Sequence, residues 1–457
     1  MSFLSRLRDS FSHVIRKDAN DMQKRQIEAG AGGRRWQGSS VLAAPQQSIL
    51  AARTIAGQRA TALCFNNPTA SRAVEVMVSN LVGRGWQATS QHPDPATRRK
   101  LNADFETIML PLLPLAARAL VREGEAVIRM GLADMPGEGV SAPEFHARVL
   151  AGGQLDGALT RDLGNGQRIL AGVELDLHDR PVAYHILPEA PGNPFGGYGP
   201  AIRLPARDVL HVFDQIVPGQ VRGITWLAPV LLKLADQDAA SDAMLMALKV
   251  QSLITGFIKD PEGGSAGFEA TGAAADVSLE PGAMRIIPPQ ADVVFSQPGQ
   301  GLSQPGEFIK GQFREIAAGI GLTYEQLTGD MSGTNYSSAR VAMLEFRRRC
   351  EMLQRTVIEA QILRPLWRRW IEARALTGEL AADPQSMADF FAVKFVPPGW
   401  QWVDPLKETN ADIAAINAGL KSRAEVVAER GRALDELDEE RAADADAPQP
   451  NPNKSGV

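Results

Sequence analysis

Ser265 sits in Gly263-Gly264-Ser265-Ala266-Gly267, the spacing of a hydrolase nucleophile elbow. That chemistry needs a strained strand-to-helix turn, plus a histidine and an acid to activate the hydroxyl. The surrounding DPEGGSAGFEATGAAAD is a Gly- and Ala-rich loop, and none of the six histidines (His13, His92, His146, His178, His185, His211) follows Ser265. The order serine, acid, histidine is therefore impossible. No two histidines stand three or four residues apart, which argues against a zinc helix of the HExxH kind. Asp236, Asp238 and Asp242 form an acidic group, but residues two apart on a helix diverge while Asp238 and Asp242 stack. A solvated face is the expectation there, with no metal and no other cofactor.

Other candidates also read as structure. No Gly-Lys dipeptide occurs, so a phosphate-cradling Walker loop is absent, and Gly83-Arg84-Gly85-Trp86 follows a helical stretch as a stop signal. Cys64 and Cys350 are too few and too far apart for a disulfide framework or a structural zinc site, which fits a reducing compartment. Trp367 and Trp370 read as core or interface anchors, and His178 and His185 flank a hairpin turn in a sheet role. The residues give no active site, and an enzyme is not expected.

The 457 residues suggest two to four domains and are ample for a packed core. With 44% apolar and 22% charged residues the composition is that of an ordinary globular protein. The net charge of −5 hides a segregation: residues 1–59 hold ten Lys/Arg against four acids, and residues 425–447 hold nine acids against three arginines. A mildly acidic whole argues against a protein that coats nucleic acid, which needs basic surface. The most apolar run, 108–120, is too short to span a bilayer and carries Pro111, Pro114 and Arg118. The N-terminal stretch is amphipathic but too interrupted for a signal-peptide core, so a soluble cytoplasmic product is expected.

Periodicity then places the elements. Residues 1–45 read as a mobile arm. Helices are predicted over 68–82, opened by Pro68 and stopped by Gly83 and Gly85, and over about 95–122. A β-rich region follows, with EAVIRMGLA, FHARVLA, RILAGVELDLHDRPVAYHILP and DVLHVFDQ as short strands and HDRP as a hairpin turn. Helices are predicted at about 226–254 and 306–320, with short strands and loops between them. The longest element runs from Ser338 to about Arg374, with a kink expected at Pro365. A strand, FAVKFVPP, precedes a charged helical region at 405–445, and APQPNPNKSGV reads as a disordered tail.

Five stretches resemble the lambda-type family of tailed-phage portal proteins: GVELDLHDRPVAYHIL (172–187), LPARDVLHVFDQIVPGQVRGITWLAPVLLKL (204–234), LEPGAMRIIPP (279–289), FREIAAGIGLTYEQLTGDMSGTNYSSARVAMLEFRR (313–348) and DPLKETNADIAAINAGLKSRAEVVAERG (404–431). They occur in the family's order. The termini depart from it, carrying a basic arm and a Pro/Asn tail.

The resemblance implies an α+β portal-like fold with a β-rich wing, two stem helices, a small α/β clip, a long kinked helix and a helical crown. Mapped on this sequence, 1–49 is a basic flexible arm, 50–225 the wing, 226–254 the first stem helix and 255–305 the clip. Residues 306–327 are the second stem helix, 328–338 the channel loop, 339–404 the long helix and a wing strand, 405–445 the crown, and 446–457 a tail. It further implies a homo-oligomeric ring, usually of twelve, at one capsid vertex, assembled in the host cytoplasm and resident in the virion. Implied partners are the terminase large subunit, the major capsid or scaffold protein, a head-completion or tail connector protein, and double-stranded DNA bound without sequence preference. No membrane is involved.

The residues then expected to face DNA are Asp330, Met331, Ser332, Gly333, Thr334 and Asn335 of the loop, with Asp236, Asp238 and Asp242 of the first stem helix. Polar side chains touch phosphates without reading bases. Ser337 or Ser338 is the alternative reading of that loop, as an N-cap. A head–tail connector or minor tail component without a DNA-translocating role is the other reading of the whole chain.

Overall fold

The computed structural model describes residues 44–133, 144–194, 199–253, 257–259, 285–287, 305–333, 336–380, 386–400 and 405–446. Most of the basic arm, Ser265, Thr334, Asn335 and the tail lie outside them. Residues up to Ser48 form a unit distinct from Ile49 onward, and its described part is the entry into the first helix. Everything below concerns the second unit.

Helix α1 (Pro45–Asn66) precedes α2 (Pro68–Val82), which has Asn67 as N-cap, its side chain accepting from the Ala70 amide at 2.9 Å. Gly83 ends α2 as expected. Strand β1 (Gln87–Ser90) leads into α3 (Pro95–Glu123), capped by Asp94. Two prolines fall inside α3 and the helix survives them. Pro111 is exposed and Pro114 half-buried, while Leu112 and Leu113 beside them face the core.

Next come β2 (Glu125–Ala133), β3 (Glu144–Val149), β4 (Arg161–Gly164), β5 (Gln167–Leu170), β6 (Val173–Leu175), β7 (Pro181–Ile186), β8 (Ile202–Pro205) and β9 (Val209–Phe213). They form two antiparallel sheets, β3-β2-β9 and the meander β4-β5-β6-β7-β8. The predicted turn is there: Asp176 accepts from the His178 and Arg180 amides at 2.8 and 2.9 Å, and Asp179 takes φ of 60°.

Helix α4 (Leu231–Leu253) begins five residues later than expected, because residues 226–230 form a turn in which Leu227 and Val230 are buried. Strands β10 (Phe257–Lys259) and β11 (Arg285–Ile287) pair in parallel. After α5 (Pro305–Ile320) and α6 (Tyr324–Thr328), one helical rod runs from Tyr336 to Leu376. It comprises α7 (Tyr336–Leu353), a π-helical stretch (Gln354–Leu363) and α8 (Arg364–Leu376). Ser337 and Ser338 thus lie inside the first turn of α7 and are not its N-cap.

Just ahead of Pro365, where a kink is expected, the rod changes its winding. Buried residues recur at every fourth position: Cys350, Gln354, Ile358, Ile362, Leu366, Trp370 and Arg374. An α-helix turns 3.6 residues per revolution, so such a stripe drifts about 40° per step away from the core. Widening to i→i+5 bonding ahead of Pro365 unwinds that drift and keeps the stripe inside. The wider register also sets Gln361 beside the end of β9. Its amide donates to the Phe213 carbonyl and accepts from the Phe213 amide, both at 3.2 Å.

Helix α9 (Met387–Phe391) and β12 (Val393–Val396) follow, with β12 antiparallel to β1. Helices α10 (Pro405–Asn417), α11 (Arg423–Glu429) and α12 (Leu434–Asp446) close the described chain, which is α+β. The main core gathers α2, α3, β2, the turn before α4, α5 and the long rod. Phe105 meets Trp367 edge-on at 5.0 Å and Trp370 at 5.4 Å, so the two tryptophans are core residues. A smaller core lies between the two sheets, around Val127, Val173, Tyr184 and Ile186.

One buried carboxylate ties these layers together. Glu125, at the start of β2, accepts from Arg222 Nε at 2.9 Å, from Arg222 Nη2 at 2.5 Å, from the Gly223 amide at 3.0 Å and from Arg53 of α1. His211 of β9 lies 3.0 Å from its second oxygen, through Nε2. Two glycines make room. A Cβ on Gly124 (φ +91°) would stand 2.0 Å from the Ile224 carbonyl carbon, and one on Gly223 would stand 2.1 Å from the Gly124 oxygen.

Burial works to raise the Glu125 pKa, but the charge and hydrogen bonds of Arg222, helped by His211, hold it well below the usual carboxylate range. Burial lowers His211, against the pull of Glu125. Both shifts act in the same direction on stability. An acid or imidazole whose folded pKa is depressed stabilises above its unfolded value and less as pH falls. Stability should therefore decline below pH 6.5 through His211, and further below 4.5 through Glu125. Urea unfolding should show the first decline between pH 7.5 and 5 in the natural chain and a smaller one in His211→Gln, where His146, also lowered by burial, still contributes. Glu125→Ala, which strands buried Arg222, should cost about 3–5 kcal/mol at neutral pH.

Candidate nucleic-acid interface

The expected DNA-facing residues lie on α4 and on the turn that follows α6. At their base α4 and α5 are fastened by apolar contact: Leu227, Val230 and Leu234 join Ile316, Ala317 and Ile320 in the main core. A surface ion pair, Lys233 with Glu315, crosses between them. The end of α5 is fixed from the long rod, where Arg349 Nη1 donates to the Ile320 carbonyl at 2.8 Å.

Beyond that base α4 is largely exposed. Asp236, Asp238 and Asp242 all face solvent. At 3.6 residues per turn Asp238 and Asp242 are about 40° apart on one flank, with Asp236 on the other. The structure thus groups two of the three. Leu232, Met246 and Leu248 on the same helix are 75%, 60% and 61% exposed, so α4 presents acid and apolar side chains together.

The described start of the loop, up to Gly333, is more ordered than its Gly/Ser/Thr composition suggests. Thr323 caps α6 in a reciprocal box with Gln326, and Arg72 of α2 donates to the Gln326 carbonyl at 3.0 Å. Leu327 is buried, which pins α6 to the core. Asp330 then organises the turn. Its carboxylate accepts from the Tyr324 hydroxyl and from the Ser332 amide, both at 3.0 Å. The Arg314 guanidinium sits over the Tyr324 ring, 5.4 Å from its centre.

Hydrogen bonds from Ser332 and then Tyr324 bring the Asp330 carboxyl down to about 2. It is a charge held in place at every physiological pH. Met331, Ser332 and Gly333 are exposed beyond it, and Thr334 and Asn335 lie outside the described residues. Nothing among the described residues bonds Asp330 to the aspartates of α4. Tyr324 and Arg314, which position Asp330, were not singled out by the sequence. Tyr324 lies six residues before it, so only proximity in the chain offered a signal.

Among the described residues no group of three or more His, Cys, Asp or Glu side chains is arranged to hold a metal ion. No described helix is long and apolar enough to cross a membrane. An NMR titration of the Asp330 carboxyl should find its midpoint near 2, and Tyr324→Phe should move it up toward 3.8. The Ser332 amide should exchange faster in Asp330→Ala, since its acceptor is gone.

A probable portal protein of Halomonas phage phiHAP-1 is 27% identical over 328 residues, which cover 70% of this chain and 62% of that protein. The chain thus spans less than two-thirds of that relative's length. Among solved structures, one of the neck of a native gene transfer agent particle computed with C12 symmetry is similar at 17% identity, with a TM-score of 0.41, covering 79% of this chain and 88% of that one. A second, the neck of the empty particle computed with C6 symmetry, is 15% identical with a TM-score of 0.38, covering 86% and 95%. The family described as phage portal protein, lambda family, matches residues 32–354, well over half the chain, and the protein belongs to that family.

Proposed function

We propose that this chain is the subunit of a closed ring, of twelve copies, set at one capsid vertex, through whose centre duplex DNA enters during packaging and leaves on ejection. Membership of the portal family over residues 32–354 carries the reading. The exposed apolar side chains of α4 support it physically. A helix with Leu232 and Met246 in water is unsatisfied as a lone chain and is covered when copies pack side by side.

In this reading residues 50–225 form most of the wing, 226–254 and 306–327 the paired stem helices, and 255–305 the clip. Residues 328–338 form the channel loop, 339–404 the long helix and its strand, and 405–445 the crown. The clip meets the terminase large subunit and later a head-completion or tail connector protein, and the wing meets the major capsid or scaffold protein. The chain does no catalysis itself, since the packaging ATPase is a separate protein.

The channel wall is acidic. Asp236, Asp238, Asp242 and Asp330 face the lumen, with Met331, Ser332, Gly333, Thr334 and Asn335 as the loop that meets the duplex. Duplex DNA carries one charge per ~1.7 Å, and a wall of like sign keeps it sliding. At a Debye length of about 8 Å in physiological salt, only carboxylates close to the duplex act in this way.

Nuclease-protected DNA per particle is the test. Particles assembled without this chain should hold none. Asp236→Asn, Asp238→Asn and Asp242→Asn together should lower packaging or retention while leaving particle number unchanged. Full DNA content without the chain contradicts the conduit, and unchanged content in the triple variant contradicts the lumen assignment.

A further inference from the structure

On the face of β2 that looks toward the five-stranded sheet, Glu125, Val127, Arg129 and Gly131 alternate with core residues. Arg129 stands directly opposite Arg148 of β3, and Gly131 stands opposite His146. Like charges facing each other across an antiparallel pair are destabilising. Here neither arginine forms an ion pair or a hydrogen bond among the described residues, and both are exposed.

The acid of this face is already committed: Glu125 is enclosed by Arg222, Arg53 and His211. Glu144, two residues before His146, pairs with neither arginine. Beside them His146 keeps a buried Nδ1 with no partner. Burial first, and then the charges of Arg129 and Arg148, lower its pKa, so it adds a neutral polar group to a doubly charged spot.

The two arginines line a shallow groove between the sheets, completed by the Gln154 side chain and by apolar walls that include Pro188 and Ile202. Ile202 is 52% exposed. Gln154 is itself satisfied, accepting from the Ala151 amide at 2.9 Å and donating to the Leu187 carbonyl at 3.3 Å, so the groove is built and needs no rearrangement. Two unneutralised guanidiniums above an apolar floor suit a ligand carrying carboxylates and an aliphatic side chain. A phosphodiester backbone would meet the arginines but leave Ile202 and Pro188 uncovered. We propose that the Arg129–Arg148 groove is a docking site for an acidic, partly aliphatic segment of a partner protein. This goes beyond the conduit reading and does not rest on it.

The experiment uses the full chain and a short labelled peptide of alternating Glu and Leu, with an alternating Lys and Leu peptide, inorganic phosphate and a DNA duplex as comparisons. Anisotropy should show saturable binding of the acidic peptide and none of the basic one. Arg129→Glu with Arg148→Glu should weaken acidic-peptide binding at least about tenfold, the equivalent of one lost charge contact, and admit the basic peptide. Neither phosphate nor duplex should displace the acidic peptide at equal charge concentration. Thermal unfolding separates a site from a structural pair: Arg129→Gln with Arg148→Gln should melt at or above the natural chain. Binding untouched by charge reversal, displacement by phosphate or by duplex, or a lowered melting point in the glutamine variant each overturns the proposal.

Discussion

The carboxylate of Glu125 is the point on which the β-rich half of the molecule depends. It is buried, and burying an unpaired charge costs several kcal/mol, so the fold must deliver its partners from wherever they lie in the chain. They come from α1, from the middle of β9, and from the loop that leads into α4. The loop reaches it because Gly124 and Gly223 let two backbones touch. The first helix, the three-stranded sheet and the approach to α4 are thereby held to one atom pair. From that loop the chain enters α4, so the proposed stem inherits its anchorage from a buried ion cluster.

The long rod supplies the second constraint. Its buried stripe repeats every four residues from Cys350 to Arg374, a spacing an unmodified α-helix cannot keep facing one way. The helix yields by widening, and the wider turn has useful side effects. Gln354 reaches the carbonyls ending α2, donating to Asn80 at 3.0 Å, while Gln361 closes the edge of β9 at Phe213. Arg349, one turn before the widening, holds the last carbonyl of α5. One element therefore touches α2, the three-stranded sheet and α5.

Much of this was legible in the sequence, for local reasons. Strand β2 matches EAVIRMGLA residue for residue, and Pro68 with Gly83 brackets α2, because both signals are short-range. Helix α1 was missed, since its apolar residues are spread around the helix and leave no stripe. A break in regular winding was legible at Pro365, and the π-helical stretch that ends at Leu363 was not. Periodicity near 3.6 was assumed, while the four-residue repeat that demands unwinding went unread. The Glu125 cluster was beyond reach, for residues 53, 125, 211 and 222 share no spacing rule. The loop aspartate was seen as a surface charge. The structure makes Asp330 also the acceptor that shapes its turn, which a composition of Gly, Ser and Thr does not disclose.

The central claim is that copies of this chain close into a ring around a hole wide enough for duplex DNA. Electron microscopy of the purified protein, with light scattering on the same sample, tests it most directly. The account predicts a closed particle of about twelve times the 49.2 kDa chain, with a central opening of roughly 20 Å or more. A compact monomer under every assembly condition, or a ring whose centre is filled, would contradict it.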